Sequence, residues 1–218
     1  MICIPSPREI PEFHESLTKL PYHKILARYY PEKEAYPILR DAFLNTKCRI
    51  MVLFADDLIV HPKVLEMVME THKRYPRAVV SGICNFDAWN NRNKYCFRLI
   101  GTSAIYPPTD PYGFAEFMDI NGGIKYQQSS NEMKVAFNAF ACVIIPRPIV
   151  EKIPFRFDSN GSGVDQNFCD DALKQGRDLI VNVSACALHL AGRKKGELEN
   201  FMVGKKTPKI EYLRPLVC

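Results

Sequence analysis

A chain of 218 residues, 47% of them hydrophobic, can bury one substantial core. We expect a single domain over residues 1–218, which could itself be one domain of a longer protein. The net charge of +5, from 29 basic and 24 acidic residues, suits a phosphate-bearing ligand but falls short of the basic surface of a nucleic-acid-binding protein. The sequence has no apolar window of membrane-spanning length, no basic-apolar secretion signal and no CxxC pair among its 8 cysteines, so we expect reduced thiols and a cytoplasmic location.

Strands and helices alternate in the first part of the chain. The predicted elements are a strand over residues 1–4, a helix over 9–20, a strand over 22–30, a helix over 32–47, a strand over 50–54, a helix from His61-Pro62 to Tyr75-Pro76 and a strand over 78–83. The strand over 50–54 is apolar at every position, which is typical of a parallel strand covered on both faces. This order predicts an α/β fold with a mostly parallel central sheet flanked by helices, and ligands bound beyond the carboxyl ends of the strands.

The alternation breaks down from about residue 86 and returns near residue 135. In the irregular section, residues 86–134, we predict only short strands over 94–100 and 114–120, and we expect this section to carry specificity. Downstream we predict a strand over 135–145, a short helix over 148–152, a helix over 165–175 closed by Gly176, and a strand over 179–188 that runs into His189.

Two adjacent carboxylates, Asp56 and Asp57, follow the apolar strand in the segment RIMVLFADDLIVHPKVL, residues 49 to 65. Neighbouring carboxylates in apolar surroundings repel one another and resist desolvation, and a divalent cation would remove that difficulty. Oxygen ligands at a strand end suit Mg²⁺ or Mn²⁺, ions that commonly bridge to substrate phosphates. The alternative is that the doublet only caps the helix that begins near His61.

The stretch VLFADDLIVHP resembles the apolar strand, DxD-type motif and proline of GT-A-fold glycosyltransferases. Downstream, FNAFACVIIPRPIVEKIPFRF (residues 137 to 157) and GSGVDQNFCDDALKQGRDLIVNVSACALH (residues 161 to 189) are similar to the strand-helix, acidic helix and final histidine-ended strand of that family. The resemblance covers nearly the whole chain in the right order. It implies the GT-A (nucleotide-diphospho-sugar transferase) fold and a metal held against a nucleotide-sugar diphosphate.

The motif departs from the common family pattern because Ala55 stands where the first aspartate is expected. The resemblance therefore assigns Asp57 as the direct metal ligand and leaves Asp56 to reach the ribose, or the metal through water. It matches His189 to a histidine that supplies a further metal ligand in many members. A histidine at a strand end can also be an ordinary satisfied polar residue.

By the same resemblance, Asp165 matches the carboxylate that acts as general base in inverting members, taking the proton of an acceptor hydroxyl. The competing interpretation is helix capping, since aspartate is favoured at helix starts. Asp170 and Asp171 follow on the same predicted helix, and at most one of them could face the same cleft.

Several residues are candidates for nucleotide or diphosphate contact. Pro5, Ser6 and Arg8 follow the first strand, where the family cradles base and ribose. Arg28 and Arg40 could contact base or phosphate, Arg193 and Lys194 in a basic loop after His189 could cover the diphosphate, and Trp89 could stack on a sugar. Each of these cations could equally be a solvated surface residue.

Taken together, the motifs predict a Mn²⁺- or Mg²⁺-dependent glycosyltransferase that moves a sugar from a UDP-sugar to a hydroxyl of a glycan or protein-linked glycan, by inverting displacement unless it is a retaining enzyme. The compact chain also resembles the soluble capsid-glycan glycosyltransferases of large algal DNA viruses. The alternatives are a sugar-nucleotide pyrophosphorylase, whose glycine-rich signature is missing after the first strand, and a non-catalytic nucleotide-sugar or glycan binding module.

Overall fold

The computed structural model describes residues 1–85, 94–99, 117–119, 132–159, 163–190 and 202–214. Its helices are α1 (Pro11–Thr18), α2 (Glu32–Leu44), α3 (Pro62–Arg74), α4 (Arg147–Lys152) and α5 (Val164–Lys174). Its strands are β1 (Ile2–Ser6), β2 (Lys24–Arg28), β3 (Ile50–Leu53), β4 (Leu58–Ile59), β5 (Val79–Asn85), β6 (Lys94–Leu99), β7 (Phe117–Asp119), β8 (Glu132–Asn138), β9 (Val143–Pro146), β10 (Leu179–His189) and β11 (Lys209–Leu213).

The strands form one mixed sheet in the order β11-β2-β1-β3-β9-β5-β10-β8-β6-β7, with β4 attached to β10. In its centre, β1, β2, β3, β5 and β10 run in the same direction, and β9 lies antiparallel between β3 and β5. The predicted mostly parallel centre of the sheet is thus confirmed. The edges are antiparallel, because β11 pairs with β2 and β8 pairs with β10 in that sense.

Both faces of the central sheet are covered by helices. Alternate residues of β3 enter opposite apolar layers: Met51 and Leu53 pack with α2, α4 and α5, whereas Val52 packs with α1 and α3. A strand that feeds two cores must be apolar at every position, as the sequence of β3 is. Among the described helices, none is both long enough and apolar enough to cross a bilayer.

The segment expected to be a single strand over residues 135–145 consists of two strands. β8 ends at Asn138, and β9 begins at Val143 after a tight turn in which Cys142 adopts a positive φ of 57°. The Ala141 amide donates to the Ala139 carbonyl across this turn (2.7 Å). Nothing in the composition of this segment marks the turn, because its residues are as apolar as the strands that flank it.

Candidate functional site

The candidate site lies at the carboxyl end of the parallel strands. β1 ends shortly before Arg8, β3 ends shortly before Asp56 and Asp57, and β10 ends at His189. Parallel strands that run in the same direction end at the same edge of the sheet, so loops far apart in sequence meet there.

The short strand β4 fixes the acidic doublet against the end of β10. Leu58 of β4 pairs with His189, and the Leu190 amide donates to the Asp57 carbonyl (2.8 Å). As a result, His189 Nε2 lies 4.0 Å from Asp57 Oδ2, with both residues 8% exposed. The two residues that the family resemblance assigns to a metal are therefore adjacent and buried.

Arg8 is the protein partner of the acidic doublet. Its Nη1 donates to Asp57 Oδ2 (2.6 Å) and to Asp56 Oδ1 (3.0 Å), and its backbone amide donates to Asp56 Oδ2 (2.8 Å). Burial nevertheless raises the pKa of the Asp56 carboxyl to about 7, against the lowering effect of the guanidinium. The sequence predicted a metal ion as the partner of the acidic doublet, and in the structure the guanidinium of Arg8 is a partner too.

The two aspartates differ in how well their oxygens are satisfied. Both carboxylate oxygens of Asp56 accept hydrogen bonds from Arg8, whereas Asp57 Oδ1 is buried and has no hydrogen-bond partner among the described residues. A buried carboxylate oxygen without a donor is costly unless a ligand meets it. Of the two aspartates, Asp57 is therefore the one with a buried oxygen that a ligand could meet.

The described side chains alone do not form a complete metal site. Within the part of the chain that the structure describes, no group of three or more His, Cys, Asp or Glu residues is arranged to hold a metal ion. Asp57 and His189 would supply two ligands, and Mg²⁺ and Mn²⁺ commonly complete their shells with water and substrate phosphate oxygens. The orphaned oxygen and the adjacent imidazole fit that kind of site.

Asp57 and His189 line a cavity of about 270 Å³. This volume is just below the range of typical ligand pockets, roughly 300–1,000 Å³. Of the residues singled out from sequence, Arg8, Asp57, Asp165 and His189 line it. The lining residues that sequence reasoning missed are Glu32, Tyr36, Ala55, Leu58, Cys84, Ala139, Phe140, Ala141, Phe157, Gly163 and Val164. Glu32 could have been found, because it follows a predicted parallel strand just as the acidic doublet does.

Asp165 lies in the first turn of α5 but is not its N-cap residue. That position belongs to Gly163, which has a left-handed φ of 74°. The Gln166 amide donates to Asp165 Oδ1 (2.9 Å), so the carboxylate has a local hydrogen bond and still lines the cavity. Burial raises the pKa of Asp165 to about 6.

The neighbouring acidic residues of α5 lie outside the cavity lining. Asp170 accepts a hydrogen bond from Gln166 Nε2 (2.8 Å), and Asp171 accepts two from Arg156 (2.7 and 2.8 Å). Asp165 is therefore the acidic residue of this helix that faces the cavity.

Aromatic side chains form one wall of the cavity. The Tyr36 ring centroid lies 5.9 Å from that of Phe140 and 5.7 Å from that of Phe157. These rings continue into the core through Phe155 and Phe168, whose rings stack at 5.1 Å. Because they pack against these core rings, the aromatic lining residues are held in place.

Among the described candidates for nucleotide contact, Pro5, Ser6, Arg28 and Arg40 are not lining residues of this cavity. Pro5 and Ser6 are buried within β1, where Ser6 has no exposed surface. Arg28 pairs with Glu9 (3.6 Å) and Glu211 (3.3 Å).

Arg40 donates to the backbone carbonyls of Val150 (2.9 Å) and Glu151 (3.0 Å) and so fastens α2 to α4. Arg193, Lys194 and Trp89 lie outside the described residues.

No protein-family model matches this sequence, and no curated protein matches it either. By structure, 39 chains of solved proteins match. One of them, from the crystal structure of A197 from STIV, has a TM-score of 0.56 and 15% sequence identity over 84% of this chain and 81% of that chain. At this identity the likeness shows the fold alone, a GT-A-like α/β fold.

Proposed function

We propose that this protein is a metal-dependent glycosyltransferase that moves a sugar from a UDP-sugar to a hydroxyl of a glycan acceptor. The observation that carries the proposal is the cavity at the carboxyl edge of the sheet, where Asp57, His189 and Asp165 meet although far apart in sequence. A candidate ligand pair for a cation and a candidate base on one cavity are the two functions that such a transfer requires.

Asp57 and His189 are the residues that would hold Mn²⁺ or Mg²⁺. When bound, the ion would offset the negative charge of the departing diphosphate. His189 contributes a neutral nitrogen ligand and Asp57 the buried Oδ1 that lacks a hydrogen-bond donor among the described residues. Asp56 would support Asp57 from behind through their shared contact with Arg8.

Asp165 would accept the proton of the acceptor hydroxyl as its oxygen attacks the anomeric carbon. Its partly buried position and its pKa of about 6 suit a carboxylate that is ionised at neutral pH yet basic enough to take a proton. Direct attack from the side opposite the diphosphate would invert the anomeric configuration. Analysis of the product anomer distinguishes this course from a retaining one.

The aromatic wall supports a sugar as the group that is transferred. Tyr36, Phe140 and Phe157 present apolar surface to the cavity, and Glu32, one turn before Tyr36 on α2, offers a carboxylate for sugar or ribose hydroxyls. A cavity lined by both aromatic rings and a carboxylate suits a pyranose ring, which has apolar faces and polar hydroxyls. The compact size and thiol-rich composition, which resemble those of the capsid-glycan glycosyltransferases of large algal DNA viruses, are the basis on which we propose a glycan acceptor and a host-cytoplasmic setting.

A thermal-shift screen of UDP, GDP, CMP and their sugars, with and without Mn²⁺, tests the proposal. We expect UDP or a UDP-sugar to raise the melting temperature only when Mn²⁺ is present, because a ligand that binds the folded form alone stabilises it. Asp57→Asn should abolish this stabilisation. Asp41→Asn, which changes an exposed carboxylate on α2, should retain it.

Stabilisation by nucleotide that is the same in EDTA and in the Asp57→Asn variant would contradict the metal-dependent proposal. Metal-dependent UDP-sugar binding without transfer or slow donor hydrolysis, over a panel of sugar nucleotides and acceptors, would indicate the non-catalytic binding module. Formation of UDP-sugar from UTP and a sugar 1-phosphate would indicate the pyrophosphorylase.

A further inference from the structure

We infer that Arg8 is a gate on the proposed metal site: it holds Asp57 until a diphosphate draws its guanidinium away, and so makes cation binding depend on nucleotide binding. This inference rests on the proposed function. Its basis is the direct contact between Arg8 Nη1 and Asp57 Oδ2 at 2.6 Å, beside His189 Nε2. A cation bound to Asp57 Oδ1 would share one carboxylate with the guanidinium on Oδ2, and the two positive charges would repel each other.

The backbone of Arg8 allows its side chain to leave without loosening the loop. The Arg8 amide donates to Asp56 Oδ2 (2.8 Å), and this bond does not depend on where the guanidinium points. Asp56 therefore keeps one anchor on the loop after β1 when the side chain turns. The side chain of Asp57, by contrast, has its described hydrogen bond from the guanidinium alone, so the departure of Arg8 leaves both of its oxygens, and its full negative charge, for a cation.

The cavity offers an entering diphosphate one cationic side chain among its described lining residues, and that side chain is Arg8. Arginine donates in a planar fork that matches phosphate oxygens, and it binds phosphate at least as readily as carboxylate. A diphosphate beside Arg8 would thus compete with Asp57 for the guanidinium. Each ligand then favours binding of the other. The diphosphate draws the guanidinium away from Asp57, and the cation neutralises the charge of Asp57 that the guanidinium had neutralised.

Isothermal titration of Mn²⁺ and of UDP, each alone and each in the presence of the other, tests the gate in the intact protein. For Arg8→Gln we expect changes of opposite sign: Mn²⁺ alone binds about tenfold more tightly than to the wild type, and UDP alone binds more weakly. The coupling between the two ligands, expected at roughly 5- to 150-fold in the wild type, should shrink in the variant.

Arg77→Gln serves as the matched control, because Arg77 is an exposed arginine outside the cavity and its loss changes the net charge equally. It should reproduce the wild-type affinities for both ligands. If Arg8→Gln does not fold by circular dichroism, Arg8→Lys replaces it. Lysine keeps the charge but loses the fork, so the same changes of opposite sign should occur at smaller size.

Unchanged or weaker Mn²⁺ binding by the Arg8 variant would overturn the gate, because a merely structural arginine would weaken both ligands together. The proposed function fails in a different way, through a wild type that binds no nucleotide with or without metal. Tighter binding of Mn²⁺ alone to Arg8→Gln would in that case still establish that Arg8 guards Asp57.

Discussion

Asp165 combines the position and the titration range that a general base needs. It lines the cavity from the first turn of α5, and burial raises its pKa to about 6. A base acts in its deprotonated form, so the rate of transfer should rise with pH below about 6 and become level above it.

We therefore expect kcat/KM for sugar transfer to increase nearly tenfold per pH unit below the pKa of Asp165. Asp165→Asn should lower kcat by roughly 10²- to 10⁴-fold while leaving UDP affinity nearly unchanged. Steady-state rates from pH 5 to 8 measure the first effect, and calorimetry of UDP binding measures the second. Asp171→Asn is the control, since Asp171 lies on the same helix as Asp165 but pairs with Arg156 and does not line the cavity. A pH profile that is flat across this range, or full activity in Asp165→Asn, would exclude this base.

The residues of the candidate site were predictable where chemistry and chain position coincide. Asp57, Asp165 and His189 carry functional groups at the ends of predicted elements, and the structure gathers them on one cavity. The contact of Arg8 with the doublet was not predictable, because Arg8 lies 48 residues before Asp56 and 49 before Asp57, and no local pattern encodes the contact. Tyr36 and Phe140 were missed as lining residues for another reason. Each lies in an apolar pattern that indicates core packing, and each does pack in the core.

At the scale of elements, the start of α5 depends on Gly163. Its φ of 74° is a left-handed conformation that costs other residues roughly 1–2 kcal/mol, and an added Cβ would meet the carboxylate of Asp158. A shift of this carboxylate would disturb its hydrogen bond from Asn167 Nδ2 (3.0 Å). Gly176, after the same helix, has a similar φ of 68° and open space where a Cβ would stand.

The two glycines thus form a matched pair. Gly176→Ala should lower the free energy of unfolding by roughly 1 kcal/mol, the conformational term alone. Gly163→Ala should lower it by a further ~0.5–1.5 kcal/mol for the lost hydrogen bond, and it should reduce transfer because Asp165 is displaced. Urea unfolding measures both losses. Equal losses of stability, with undiminished transfer in both variants, would show that the Asp158 contact does not position α5.

Long elements with a clear period were predicted to within a few residues, and short ones were not. α2 and α3 have one apolar face each and were located from sequence. β4 has two residues, and β11 is a largely exposed edge strand, so neither has the apolar run or alternation that marks a strand. Both are defined by their partners, β10 and β2, which are distant in sequence.

At the scale of the whole molecule, two apolar layers on either side of one sheet leave most described cysteines inside. Cys3, Cys84, Cys142 and Cys169 are buried thiols, and burial raises the pKa of Cys3 and of Cys142 to about 12. The thiolate is the reactive form, so these side chains are protected both by access and by protonation. Cys186, on the strand β10, is exposed.

Maleimide labelling of the native protein should therefore modify Cys186 rapidly and the four buried cysteines only after denaturation. Mass spectrometry of the peptides reads each position separately. Cys186→Ser should remove the fast labelling of that peptide and leave the slow labelling of the four buried cysteines unchanged. Labelling of Cys3 or Cys142 in the native state at the rate of Cys186 would show that the two-layer core opens readily.

The two-residue ladder between β4 and β10 has a practical consequence for engineering. It ties Asp57 to His189 by main-chain pairing, which does not depend on the identity of the paired side chains. Side chains on β4 and at the end of β10 can therefore be exchanged while Asp57 and His189, the pair proposed to hold a cation, keep their spacing.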